Sequence, residues 1–370
     1  MPDYHGIIFA YNTSRQLGAL VRQRTSSSLP FCCRYRLIDF PLSSLSNAGI
    51  HDVGVIMQRD YQSLLDHLGS GKEWDDSRRK GGLRMLPPFG LPEYHTGAYA
   101  GTMEALNAVA SYIHSIPQSN LVLMRGYVAA NIDIAAAVAS HEASHLPITA
   151  ICARNPAEPL NYQFLPEADG SSQRMVRSQS PEINGLWSLE AYIIRKDLLL
   201  SMMRTCQEDN KVHFHSDALF DYLRSGGRVN LYVHESYACV ITSDENYFRA
   251  NMDMLDAQSR ASVFPPHLPL RTKIHEEVST YYGETAKVQN CLIADGCRIE
   301  GELEHCLIFS GVHIEPQVRL QNCIVMRGAV IHGGAQLQNV VLDKYSEVSA
   351  TTVLRGSDKF PFVLPKSSKI

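Results

Sequence analysis

Apolar residues fall into short runs and helical stripes over roughly the first 260 positions, and into a sixfold repeat afterwards. Gly6-Ile7-Ile8-Phe9-Ala10 predicts a buried strand opening the chain. A polar stretch rich in Ser and Arg follows, then Arg36 to Leu42 and a short helix over 44–48. Asp52 to Met57 predicts a second parallel strand, and Tyr61 to Leu68 a helix. Residues 69–95, with their Gly, Pro and charges, read as loop. Leu106, Val109, Ala110 and Ile113 share one face of a helix over 102–115. Asn120 to Met124 is a strong central strand, 134–142 a helix and 148–153 a strand. Residues 155–185 read as excursion loops, 188–194 and 229–233 as strands, and 197–225 as largely helical. Strands alternating with helices imply an α/β, doubly wound, mostly parallel sheet.

The pattern changes after about residue 260. Phe264-Pro265-Pro266-His267-Leu268-Pro269 reads as a linker. Beyond it, Val312, Val318, Ile324 and Val330, then Leu342, Val348 and Leu354, recur every six positions, interrupted at Gln336. Ile308, Ile314, Leu320 and Met326 form a second series. No helix or simple strand has period six; a hexapeptide β-helix does, and three to four turns are expected. The inward thiols Cys291, Cys306 and Cys323 read as core filler. The division is 1–262 for the α/β domain, 263–278 for the linker and 279–370 for the β-helix.

Composition narrows the classes. The 370 residues are 45% hydrophobic and 19% charged, with a net charge of -4, which gives no reason to expect nucleic acid or an anionic membrane as partner. Gly6 to Ala10 is too short for a signal peptide and is soon followed by Arg15, Arg22 and Arg24. No apolar run is long enough to span a membrane. Nine cysteines without a CxxC pair suit a reduced, cytoplasmic protein.

Catalytic chemistry is hard to assemble from what remains. The loop after the first strand lies at the carboxyl edge of the sheet, where such folds bind ligands. It reads Tyr11-Asn12-Thr13-Ser14-Arg15-Gln16-Leu17, without the glycines that let backbone N–H groups approach a phosphate. The central strand ends in Arg125-Gly126-Tyr127-Val128, with no carboxylate at its tip. Asp133 is better placed to cap the next helix, and Asp244 and Glu245 to start another. No pair of acids for Mg²⁺ emerges. His141 and His145 are four apart with nothing to complete a metal site. Arg22, Arg24, Arg34 and Arg36 form either a solvated basic edge or an anion contact, and alternation would point Arg34 and Arg36 the same way.

Several motifs nevertheless stand out: Pro30-Phe31, Tyr35-Arg36-Leu37-Ile38-Asp39-Phe40-Pro41-Leu42-Ser43, Gly101-Thr102 opening the helix that holds Glu104-Ala105, Gly126 after a strand, and Ala250-Asn251-Met252-Asp253. With the terminal β-helix, these resemble the ADP-glucose pyrophosphorylase (glucose-1-phosphate adenylyltransferase) family, end to end. Within it, the chain looks most like the GlgD-type, non-catalytic paralogues of Gram-positive bacteria. The resemblance implies a Rossmann-like, GT-A-like nucleotidyltransferase domain followed by a left-handed parallel β-helix.

The departures from that family lie where its members meet substrate or metal. Tyr11, Asn12 and Ser14 stand at glycine positions, and Gln16 at an arginine position. Ser26-Ser27 replaces a lysine-proline pair, Cys32-Cys33 a double glycine, Arg34 a lysine and Ala100 an arginine. Tyr127 and Val240 stand where the family carries its two metal-binding aspartates. The family's glutamate-lysine-proline sugar-phosphate motif is not visible near Arg177 to Pro181. The reaction joins ATP and glucose 1-phosphate and releases pyrophosphate, so it needs Mg²⁺ and basic groups. The expectation is therefore a regulatory subunit that needs no cofactor itself, with Mg²⁺ and ATP used by a catalytic partner. The resemblance implies a heterotetramer with that partner, or a homodimer alone, and a phosphorylated effector bound between the N-terminal domain and the β-helix. Arg22, Arg24, Arg34 and Arg36 are the candidate effector residues. A weakly active adenylyltransferase and a stand-alone sugar-nucleotide or effector sensor stay open. So, more remotely, does an acyltransferase using His305, His313 or His332.

Overall fold

The computed structural model describes residues 3–11, 17–74, 82–88, 99–157, 160–177, 182, 184–274 and 276–370. Contacts divide the chain into two units: residues 1–13, 38–240 and 265–271 form one, and 14–37, 241–264 and 272–370 the other. Residues 14–37 and 241–264, which the linear division gives to the N-terminal domain, thus belong with the β-helix.

The first unit is built on a mixed sheet. Tyr4–Phe9 lies parallel between Val53–Ile56 and Asn120–Arg125. Leu83–Leu86 extends this parallel set inside a stretch expected to be loop. Its burial pattern alternates weakly, as an edge strand's does, which hides it from a periodicity reading. Leu186–Arg195 runs antiparallel between Asn120–Arg125 and Ile148–Ala153, and Val229–His234 lies parallel to the latter. Tyr162–Leu165 and Arg174–Arg177 form a hairpin within the expected excursion loops.

Side-chain alternation sends Ile7 and Phe9 into a core shared with Met103, Leu106, Leu199 and Met202. The other face carries Gly6, where a Cβ would sit 2.7 Å from Leu45 Cδ1, so the Asp39–Asn47 helix approaches the strand closely. The helix expected over 102–115 breaks at Val109, giving Thr102–Ala108 and Ala110–Ser115. Downstream of Lys196–Glu208, a π-helix over Phe214–Leu219 runs into Phe220–Arg224. Such i→i+5 turns are rare and concentrate at functional sites.

The second unit contains three parallel sheets of five strands each, consistent with the expected left-handed β-helix. Five rungs exceed the three to four turns expected. Positions 302, 319, 336 and 353 stack on one another, so these coils hold seventeen residues and not eighteen. The sixfold phase slips by one per coil, which is why Gln336 is exposed and Leu337 points inward. Cys306 and Cys323 are fully buried, while Cys291 is half-exposed against the same core. The turn residues Asn290, His305, Asn322 and Asn339 all adopt positive φ, a region asparagine tolerates better than most residues. No described helix is long and apolar enough to cross a membrane.

Candidate functional site

The distinctive YRLIDFPLS run holds the scaffold. Asp39 is fully buried and its Oδ1 lies 2.6 Å from His67 Nε2. Ser43 Oγ accepts from Arg271 N, and Trp74 Nε1 donates to Arg271 O. In the second unit, Tyr35 stacks on Phe264 at 5.1 Å, and Asn251 Oδ1 accepts from Cys32 N. Cys32 and Cys33 adopt φ of 47° and 61°, left-handed values that suit glycine better than cysteine.

The carboxyl edge of the first unit's sheet is closed by side chains. The strands Tyr4–Phe9 and Asn120–Arg125 end together, with Gly126 N donating to Phe9 O at 2.9 Å. Val128 then pairs with Val240 in a short antiparallel ladder. This topology brings the Tyr127 and Val240 segments into register at the tip. Both residues are buried and neither offers an anionic oxygen. Arg125 is held beside Tyr127: its Nε donates to Glu190 Oε2 at 2.9 Å and its Nη2 to Thr102 Oγ1 at 2.8 Å. The guanidinium lies 5.1 Å from the centroid of the Phe9 ring and 6.0 Å from that of Tyr127. Arg125 and Glu190 are about nine-tenths buried. Burial pushes the Tyr127 phenol well above its ordinary range, and its hydrogen bond to Glu190 adds to this. Burial would also raise the Glu190 carboxyl, but Arg125, His215 and Asn161 together hold it below its usual value.

These residues do not fit a divalent cation. The Glu190 carboxylate is committed to Arg125, whose charge opposes a metal ion, and Glu104 nearby accepts from Ala100 N. Ala100 is exposed just before Gly101, where a Cβ would lie 2.2 Å from Val212 O. Gln16, with Asn12 and Ser14, lies outside the described residues. Ser26 is buried in a 3₁₀ turn of the second unit. Asp133 caps its helix through Ala136 N, and Ser243 caps the helix opened by Asp244. His141 is engaged with Thr149 Oγ1, and no group of three metal-binding side chains occurs among the described residues.

The four candidate arginines do not act as one set. Arg22 is exposed. Arg24 is buried in an ion pair with Asp343 and also donates to Leu20 O, so it does not lie on a solvated basic edge. Arg36, Arg24, Asp343 and Lys366 all lie close enough to Lys344 for their charges to act on it. Burial, followed by the charges of Arg36 and Arg24, pushes Lys344 down to about 6. Arg34 instead lines a 920 Å³ cavity with Arg260 and Lys273. Glu190, His215, Lys344 and Lys366 escaped the sequence reading. Glu190 sits at φ 55° where the register of its strand shifts, and neither feature has a periodicity signal.

A family profile described as nucleotidyl transferase matches residues 5–162, and one described as GlmU-like, C-terminal hexapeptide matches 275–359. The glycogen biosynthesis protein GlgD of Bacillus subtilis (strain 168) is 34% identical over 369 residues, covering 98% of this chain and 95% of its own. The chain belongs to the GlgD family. The GlgD of Geobacillus stearothermophilus is 33% identical, across 84% of this chain and 80% of its own. A glucose-1-phosphate adenylyltransferase of Halalkalibacterium halodurans is 28% identical, across 84% and 82%.

Proposed function

We propose that this GlgD-family protein serves glycogen biosynthesis as a largely non-catalytic, regulatory subunit of glucose-1-phosphate adenylyltransferase. The observation that carries the reading is the buried Arg125–Glu190 pair beside Tyr127 at the strand tip. A triphosphate and its metal need anionic ligands there, and the tip offers a guanidinium whose partner carboxylate is already engaged. A single lost electrostatic group in such a site can remove about 2.7–4 kcal/mol of transition-state stabilisation.

The effector is a phosphorylated anion, held by Arg36, Lys344 and Lys366 over the Arg24–Asp343 pair. Arg36 and Lys366 add positive charge near the Arg24–Asp343 pair, and Lys344, pushed down to about 6, can take up a proton when an anion arrives, which supports an anion site. Arg34, with Arg260 and Lys273, is a second candidate contact.

The partner is a catalytic subunit, in a heterotetramer. The first coil of the β-helix supports assembly: Ile274, Val278, Tyr281 and Tyr282 are exposed there. Among the described residues, the strands Tyr281–Tyr282 and Lys287–Gln289 each have one neighbour, leaving open sheet edges, whereas the Leu292–Ile293 edge meets Cys33, whose Sγ donates to Leu292 O. Solenoids normally cap such ends with polar groups.

The test is ADP-glucose synthesis by a catalytic subunit with and without this chain, across concentrations of phosphorylated sugars, with the pure chain as control. The expected result is a changed rate or effector response in the mixture and negligible turnover by the pure chain. Turnover by the pure chain equal to that of the mixture refutes the non-catalytic reading. An unchanged partner refutes the regulatory one.

A further inference from the structure

At the amino edge of the first unit's sheet, opposite the strand tip, a cavity of about 330 Å³ is lined by His5, Asp52, Arg84, Tyr112 and Gln118. His5 lies in Tyr4–Phe9, Asp52 just before Val53–Ile56, Arg84 in Leu83–Leu86 and Gln118 just before Asn120–Arg125. These four strands are neighbours and parallel, so each brings one polar side chain to the same place. Two of the side chains are buried with an unpartnered atom, His5 Nδ1 and Gln118 Oε1. Their residues are 5% and 9% exposed. Gln118 acts on the His5 ring, yet neither of these two atoms has a hydrogen-bond partner. Buried polar atoms nearly always find one, so a cavity lined by two orphans asks for a polar occupant.

The surrounding contacts fix what each atom offers. The Tyr112 ring seats against Gly54, where a Cβ would lie 2.6 Å from its Cε1, and its Oη lies 2.8 Å from His5 Nε2. Burial pushes the phenol up to about 12 and the imidazole down to about 4, so at neutral pH the phenol keeps its proton and the ring is uncharged. With the phenol donating to Nε2, the ring proton sits on Nδ1, which becomes a donor. Gln118 Nε2 donates to Asp52 Oδ2 at 2.9 Å, which leaves Oε1 as an acceptor. Asp52 Oδ1 accepts from Gly82 N at 2.9 Å. Arg84 is exposed, with its guanidinium 5.5 Å from the centroid of the Tyr112 ring. The charges of Asp52 and Arg84 both reach His5, but no ion pair joins the two among the described residues.

This set selects a ligand with both charges. An anion held by Arg84 alone would face Asp52 and the Gln118 carbonyl, and a cation held by Asp52 would face Arg84. An uncharged ligand would leave both charges unmatched. A carboxylate next to an ammonium answers all four groups. The carboxylate accepts from Arg84 and His5 Nδ1, and the ammonium donates to Asp52 and Gln118 Oε1. The volume stands at the small end of ligand pockets, which run from about 300 to 1,000 Å³.

We propose that this cavity binds a small zwitterion, a free α-amino acid, through His5, Asp52, Arg84 and Gln118. Its occupant ties together the amino ends of the four parallel strands. The site is at the opposite edge from Arg125 and Tyr127, so it is independent of whether any turnover occurs there.

Thermal-shift and calorimetric titrations of the full chain with each of the common amino acids test it. The controls are the carboxamide and the N-acetyl derivative of whichever amino acid binds best, each of which lacks one of the two charges. At least one amino acid should raise the melting temperature saturably, as a ligand of the folded state does. It should bind at least about tenfold more tightly than either derivative, the loss of one charge-assisted contact. Arg84→Gln removes an exposed guanidinium and should weaken binding about tenfold or more. Asp52→Asn, with its fold checked by circular dichroism, should do the same. Hydrogen exchange at residues 4–9 and 120–125 should slow on binding. If no amino acid binds the folded chain, ordered water alone meets the two orphans and the proposal is overturned. Derivatives that bind as tightly as the amino acid, unchanged affinity in folded Arg84→Gln, or slowed exchange only elsewhere in the chain each overturn it too.

Discussion

Arg24→Met tests how the basic group of the second unit is held together. Arg24 is 4% exposed and Asp343 1%, so neither charge has water to turn to. Removing one partner of a buried pair typically costs about 3–5 kcal/mol, because the other charge is left uncompensated. Here Lys344 moderates the loss. It is held down to about 6 by burial and by the charges of Arg36 and Arg24, so it is mostly neutral at pH 7. With Arg24 gone, one of those repulsions disappears and the now unpaired Asp343 favours a protonated lysine. Each unit of upward shift in Lys344 returns about 1.4 kcal/mol. The expected net cost is therefore about 2–4 kcal/mol near neutral pH. The sign with pH follows from the lysine. Its compensation is present while it is protonated and is lost as pH rises through its folded value, so the variant's deficit grows between pH 6 and 9. Urea unfolding followed by far-ultraviolet circular dichroism, with hydrogen exchange at residues 340–348, measures both features. A deficit below about 1 kcal/mol, or one flat across that range, would refute the reasoning.

Other expectations follow from the same structure. Glu190→Gln leaves Arg125 charged and unpaired, so it costs about 3 kcal/mol in urea unfolding and lowers hydrogen-exchange protection at the strand tip. Gly101→Ala forces a methyl against the Val212 carbonyl, a backbone atom that cannot swing away, and costs at least about 2 kcal/mol in the same measurement. His332 lies between Glu315 and Glu347, which raise its pKa above the ordinary histidine value. Its contribution is full below the unfolded value near 6.5 and is lost as pH rises through the raised one. The melting temperature should fall over that window, and His332→Gln should flatten the fall; an identical slope in the variant would contradict the linkage.

Both units were legible in the sequence wherever burial imposes a period. Ile148–Ala153 matches its expected bounds, and the sixfold series located the β-helix. Legibility failed where tertiary contact sets the structure. Leu83–Leu86 is a strand because Val53–Ile56 offers it a pairing edge, and its own composition says little. Residues 14–37 belong with the β-helix because Arg24 meets Asp343, which lies 319 positions away. No local pattern reports that distance.

The same limit explains the candidate site. Sequence comparison could show what Tyr127 and Val240 are not, since an absent carboxylate is visible in a string of letters. It could not show what occupies the tip instead of a carboxylate pair, because Arg125 and Glu190 lie 65 positions apart on neighbouring antiparallel strands. What is present carries more information than what is absent. A tip that had merely lost its acids would leave a polar hollow open to water. This one holds a buried ion pair, a phenol bonded to its carboxylate and a guanidinium over two aromatic rings, each of which costs stability unless the others are present. Such interdependence makes introducing a single aspartate ineffective as a route to a metal site. Tyr127→Asp would set a second carboxylate beside Glu190 around one guanidinium, and that arrangement binds Arg125 more tightly before it binds a metal.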